Sequence, residues 1–162
     1  MSSSRGKILV LWNQTEEDVY EKWREQGPQK LDWSPDRTAP DVGTVAEEMS
    51  AFMKALADGG FEAHLVNIED DLERLLSSIK LYRPDAVFNL VEYFSDDQVQ
   101  EAYVAGLYEM MGAHFTGNRP VTLITCQNKY RAKLILDAAG LPTSPFFIAL
   151  PKEPVPNAAE DY

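Results

Sequence analysis

Residues able to do chemistry are concentrated where basic side chains meet helix-start signals. From Gly117 to Pro145 the chain places Lys129, Arg131 and Lys133 directly after Asn128, a residue type that caps helices. Such a grouping suits an anion, held by an ammonium group together with the backbone N–H donors that a helix start leaves unpaired. The rest of the chain is acidic, with 15 Lys and Arg against 26 Asp and Glu and a net charge of -11. That balance excludes a general nucleic-acid binder, which gains affinity by presenting many cations to phosphates. The positive group is therefore local, and a small anionic ligand is the expectation.

Other chemistries find less support. Asp70-Asp71 and Asp96-Asp97 could bind a metal, but both pairs stand where first-turn carboxylates favour the helix itself, and capping is the expected role. The two histidines, His64 and His114, fall in strand-like runs with no nucleophile elbow GxSxG to complete a triad. No zinc-spaced Cys/His cluster, phosphate-binding GxxxxGK[ST] loop or GxGxxG after the first strand is present, so no metal ligand is assigned. The single cysteine, Cys126, cannot form an internal disulfide, and no apolar run nears the roughly 18 residues that span a bilayer. These features lead to an expectation of a cytoplasmic protein without a membrane partner.

The elements that must position these residues alternate between two periods. Lys7 to Asn13 is a continuous β-rich run, and Val42, Val45, Met49, Phe52, Met53 and Leu56 recur at helical spacing before Gly59-Gly60. Thr44 with Glu47 forms a capping box at that helix's start. A second strand over Glu62 to Ile68 and a helix over Asp70 to Arg83 follow, with Leu72, Leu75, Leu76 and Ile79 on one face. Ala86 to Val91 reads as a third strand, Ser95 with Gln98 as a capping box opening a helix to Met111, and His114 to Thr116 as a short fourth strand. Strand-helix alternation of this kind predicts an α/β fold with a mostly parallel sheet and helices on both faces. Ligands then bind beyond the carboxyl ends of the strands, here Asn13 to Glu16, Asn67 to Asp70, Asn89 to Asp97 and Thr116 to Lys129.

A chain of 162 residues fits one such domain, expected over 1–150. An insertion at about 14–39 interrupts it, with a short helix expected at Glu16 to Gln26 and the aromatic residues Tyr20, Trp23 and Trp33 pinning the insertion down or lining a substrate mouth. Residues 151–162, with three of the chain's prolines and no periodicity, read as an extended linker.

The order and spacing of five pieces carry a family resemblance. Phe88-Asn89-Leu90-Val91-Glu92, a helix ending Leu107 to Gly112, Phe115-Thr116-Gly117, Asn128-Lys129-Tyr130-Arg131-Ala132-Lys133 and Ala139-Gly140-Leu141-Pro142 resemble the N-terminal domain, preceding the ATP-grasp part, of the D-alanine–D-alanine ligase-like family in the ATP-grasp superfamily. The resemblance implies a three-layer Rossmann-like domain. It also implies that Lys129 contacts ATP phosphates, with Asn128 in place of the family's aspartate, and that Glu92 and Asn89 lie at a substrate pocket. Glu16 stands roughly where a family glutamate grips a substrate amino group, although Asn13-Gln14-Thr15 replaces the family's Gly-Gly-Ser loop.

The implied function is that of the substrate-side domain of an ATP-dependent carboxylate-amine ligase working through an acyl phosphate. ATP and Mg²⁺ would be cofactors of the intact enzyme, a carboxylate and an amine its substrates, and an ATP-grasp domain in cis or trans its partner. The chain alone is not expected to be catalytic, because the glycine-rich flap, adenine pocket and metal-holding carboxylates of that superfamily lie in other subdomains. A homodimer is compatible with the faces those subdomains would cover. The alternative is a free-standing Rossmann-like binding or interaction module without ligase activity.

Overall fold

The computed structural model describes residues 4–15, 30–31, 34–38 and 44–148, the two short middle segments by backbone alone. In chain order the described elements are β1 (Lys7–Trp12), β2 (Lys30–Leu31), β3 (Ser34–Thr38), α1 (Val45–Asp58), β4 (Glu62–Asn67), α2 (Leu72–Tyr82), β5 (Ala86–Leu90), α3 (Gln100–Met110), α4 (Pro120–Gln127) and α5 (Lys129–Ala138). Strands β4, β1 and β5 form a parallel sheet in that order, while β2 and β3 pair as an antiparallel hairpin inside the insertion. Glu16, Tyr20, Trp23, Trp33 and residues 151–162 lie outside the described residues.

The sheet is central because β1 is apolar on both sides. Leu9, Val10 and Leu11 are fully buried, each contributing roughly 1.5–3 kcal/mol relative to exposure. Alternation along the strands sends Leu9, Leu11 and Val87 into one cluster with Leu75 and Ile79 of α2 and Val104 and Tyr108 of α3. On the other face Phe88 meets Phe52 of α1 with ring centroids 5.4 Å apart. The α/β expectation is borne out as helix, sheet, helix. From β1 the chain passes to β4 through the insertion and α1, then recrosses β1 through α2 to reach β5. That reversal opens a crevice at the carboxyl ends of β1 and β5.

Local signals explain the borders, and two of them differ from the sequence-based expectation. The Thr44–Glu47 box forms in both directions, with Glu47 N–H donating to Thr44 Oγ1 at 3.2 Å and Thr44 N–H to Glu47 Oε2 at 3.0 Å. Ser95, by contrast, does not cap a helix: α3 starts at Gln100, and Ser95 and Asp96 adopt left-handed φ values of 51° and 57°. The Ser95 N–H is drawn away to Asp70 Oδ1 at 2.9 Å, and the Asp97 carboxylate takes the Val99 N–H at 2.9 Å. A tight turn therefore occupies the length expected for the first helical turn.

The expected fourth strand shrinks to a single parallel bridge between Phe115 and Val87. Gly112 (φ 67°) ends α3, and Gly117 (φ 111°) turns the chain away again, leaving little length for a ladder. The helical block after it divides into α4 and α5 at Asn128, whose extended backbone ends one helix while its side chain caps the next.

Candidate functional site

Polar side chains at the carboxyl end of the sheet tie its loops together. The last residue of β4, Asn67, continues the ladder with its carboxamide: Gln14 N–H donates to Asn67 Oδ1 at 3.0 Å, and Asn67 Nδ2 donates to the Gln14 carbonyl at 2.9 Å. Chain direction leaving β1 toward Glu16 is fixed by that pair, although Glu16 itself lies outside the described residues. One residue earlier, the buried Asn13 donates from Nδ2 to Asp70 Oδ1 at 2.6 Å and to the Tyr93 carbonyl at 3.0 Å. Its Oδ1 accepts the Asp70 N–H at 2.9 Å. Asp70 thus serves the loops after β1, β4 and β5 together, whereas Asp71 beside it caps α2 by accepting the Arg74 N–H.

Asn89 faces inward. Its Oδ1 accepts the hydroxyl of the fully buried Tyr108 at 3.0 Å and the Val91 N–H at 3.4 Å, and its own N–H donates to Thr116 Oγ1 at 3.0 Å. Burial pushes the Tyr108 phenol well above its ordinary value, so it stays a neutral donor. Asn89 thus anchors the end of β5 against α3, while Glu92, three residues on, is exposed.

The basic group divides by partner. Arg131 donates from Nη1 to the Ile124 carbonyl at 3.2 Å, bracing α4 against α5. Lys133 Nζ reaches Ser144 Oγ at 2.6 Å and its carbonyl at 2.9 Å, and lies 5.4 Å from the Phe146 ring centroid. Lys129 is exposed and has no hydrogen-bond or ion-pair partner among the described residues. It opens a helix whose Arg131 N–H is taken by Asn128 Oδ1 at 2.9 Å.

A tertiary link with no sequence motif joins α4 to the start of α3. Gln127, two residues before Lys129, donates from Nε2 to the Gln98 carbonyl at 2.7 Å and to Glu101 Oε2 at 3.0 Å. Burial holds the Glu101 carboxyl above the usual carboxylate value; the Gln127 bond opposes this and the charge of Glu92 adds to it. Gln127 at the end of α4 is thereby tied to Glu101 of α3, whose raised carboxyl also feels the charge of Glu92. Neither this link nor the Asn13–Asp70 bonds have a motif; their only trace in the sequence is amide and carboxylate residues where strands end.

Remaining candidates settle into structural roles. His64 stacks on Tyr82 at 4.3 Å and pairs with Glu62 at 3.1 Å, and the His114 carbonyl accepts the Val87 N–H. Among the described residues no group of three His, Cys, Asp or Glu could hold a metal, and no helix is long and apolar enough to cross a membrane.

Sequence comparison finds curated D-alanine–D-alanine ligases. One from Bifidobacterium longum (strain DJO10A) is 37% identical over 92 residues, 55% of this chain and 22% of that protein. One from Bifidobacterium adolescentis is 32% identical over 127 residues, 76% of this chain and 30% of the relative, and one from Cereibacter sphaeroides (strain ATCC 17025) is 34% identical over 99 residues, 61% and 30% respectively. The chain spans less than a third of the length of these relatives. No protein-family model matches, and no solved structure matches significantly. The relatives bear out the resemblance read from the motifs: the chain is similar to the N-terminal domain of D-alanine–D-alanine ligases.

Proposed function

We propose that this chain is the substrate-side, N-terminal domain of an ATP-dependent carboxylate-amine ligase and is not catalytic by itself. Residues 1–150 make up the domain, with an insertion at about 14–39, and 151–162 lead toward an ATP-grasp domain supplied in cis or trans. The similarity to D-alanine–D-alanine ligases carries the reading, and the exposed Lys129, without a partner among the described residues, supports it.

Lys129 contacts an ATP phosphate in this reading. Its ammonium stands at a helix start, where the macrodipole and the free first-turn N–H groups favour an anion. Glu92 and Glu16 receive the amino group of a substrate, and Asn89 holds the strand end from which Glu92 projects. When bound, ATP and Mg²⁺ supply phosphoryl activation of the carboxylate, so that an amine can displace phosphate. An exposed Lys129 at a helix start suits a phosphate, and in this reading the ligands for Mg²⁺ belong to the ATP-grasp partner. The exposed apolar side chains of α5, Leu134, Ile135 and Leu136, suit partial cover in the intact enzyme or in a homodimer. A cytoplasmic location, where ATP is abundant, completes the proposal.

Two observations test it. Reading the encoding DNA past the Tyr162 codon should reveal glycine-rich and acidic ATP-grasp segments in frame or in a neighbouring gene; their absence favours the binding module. The purified 162-residue chain should release no phosphate from ATP, and measurable release overturns the reading.

A further inference from the structure

We propose that Asn13 and Asp70 form a positioning clamp that sets the loop carrying Glu92, and with it the affinity for the substrate amine. The proposal rests on the pocket assignment of Glu92 given above.

The clamp spans residues distant in sequence and close only at the carboxyl end of the sheet. Asp70 Oδ1 accepts two donors, Asn13 Nδ2 at 2.6 Å and the Ser95 N–H at 2.9 Å. Asn13 Nδ2 also donates to the carbonyl of Tyr93, the residue directly after Glu92, at 3.0 Å. Glu92 is therefore followed by two backbone groups, Tyr93 C=O and Ser95 N–H, that are both held from outside their own loop.

Backbone conformation shows why a clamp is needed. Glu69 and Asp70 have φ values of 50° and 56°, and Ser95 and Asp96 have 51° and 57°. Left-handed backbone at four non-glycine residues is unfavourable, each by roughly 1–2 kcal/mol. It persists where surrounding bonds over-determine it. Asn13 supplies that determination, because it is buried and its side chain has both an acceptor and a donor facing the two loops. A serine or threonine in its place could not donate to Asp70 and Tyr93 while accepting from the Asp70 N–H with the same reach.

The chemistry required of Asp70 is acceptance, not charge. A carboxamide oxygen presents the same acceptor to Asn13 and Ser95, so Asp70→Asn keeps the clamp and Asp70→Ala removes it. A role as a charged ligand group would instead make both substitutions equally damaging.

The test measures Ser95 amide hydrogen exchange by NMR in this chain, and steady-state kinetics of the full gene product with ATP and a panel of D- and L-amino acids. Asp70→Ala should accelerate Ser95 exchange and raise KM for the amino acid, each by about tenfold, the loss of one hydrogen bond to a charged acceptor. KM for ATP should stay within about twofold, because Lys129 stands on another element. Asp70→Asn should restore both quantities to within about threefold of wild type. Should Asp70→Ala fail to fold, Asn13→Asp, which sets a carboxylate oxygen against both Asp70 Oδ1 and the Tyr93 carbonyl, should give the same loss. Unchanged Ser95 exchange in Asp70→Ala overturns the clamp. Faster exchange with an unchanged amino-acid KM overturns its link to the pocket. A wild-type gene product without amino-acid-dependent turnover removes the ligase reading alone, and the exchange rates still decide the clamp.

Discussion

Gln127 donates to Glu101 Oε2 at 3.0 Å, bonding the end of α4 to the first turn of α3 across 26 residues of chain. The bond ties α4, which has no buried residues of its own, to α3, and Arg131 in turn braces α5 against α4. It also leaves Gln127 Oε1 buried without a partner, so the carboxamide is fixed by its donor half alone.

Replacing the acid tests that arrangement. Burial raises the folded Glu101 pKa above 4.5, so the folded state keeps its proton to higher pH than the unfolded chain, and stability declines as pH rises from 4.5 through the folded value. Glu101→Gln should abolish this decline in urea titrations repeated across that window. At neutral pH the variant should stay within about 1 kcal/mol of wild type, since a charge-assisted bond is lost while Gln127 Oε1 gains a donor.

Tyr108→Phe removes the donor that Asn89 Oδ1 uses at 3.0 Å and leaves the ring packing against Phe115 intact. Denaturant unfolding should show a loss of about 1 kcal/mol with an unchanged m-value.

Arg83 closes α2 with a left-handed φ of 45° that glycine would adopt without a Cβ penalty. Arg83→Gly should stabilise the chain by about 1 kcal/mol, read as a higher urea midpoint. Thr44→Ala breaks the capping box of α1 and should destabilise by about 1 kcal/mol in the same assay.

The lysines should separate cleanly. Lys133→Ala frees the segment from Thr143 to Phe146, which should become more susceptible to proteolysis. Lys129→Ala should leave both proteolysis and melting temperature unchanged, because the side chain has no partner to lose among the described residues.

How much of this was legible depends on the range of the interactions. The sheet followed from Lys7 to Asn13 and Ala86 to Val91, since apolar runs bounded by turns identify buried strands, and α1 followed from Thr44, Glu47 and its apolar period. The start of α3 did not follow, because Ser95 and Gln98 are a capping pair by local rules and lose the Ser95 N–H to Asp70, 25 residues away. Lys129 was legible from the order of the motifs as the implied phosphate contact, whereas the bonds that commit Arg131 to Ile124 and Lys133 to Ser144 are tertiary and have no sequence signal. The bond from Gln127 to Glu101 is tertiary, and no period or motif announces it.

The most direct measurement is ATP-dependent phosphate release by the full gene product against the same panel of amino acids, for wild type and Lys129→Ala. The account predicts amino-acid-dependent release by wild type and a KM for ATP raised about tenfold in the variant, the scale of one lost charge-assisted contact to phosphate. An unchanged KM for ATP in Lys129→Ala would contradict it.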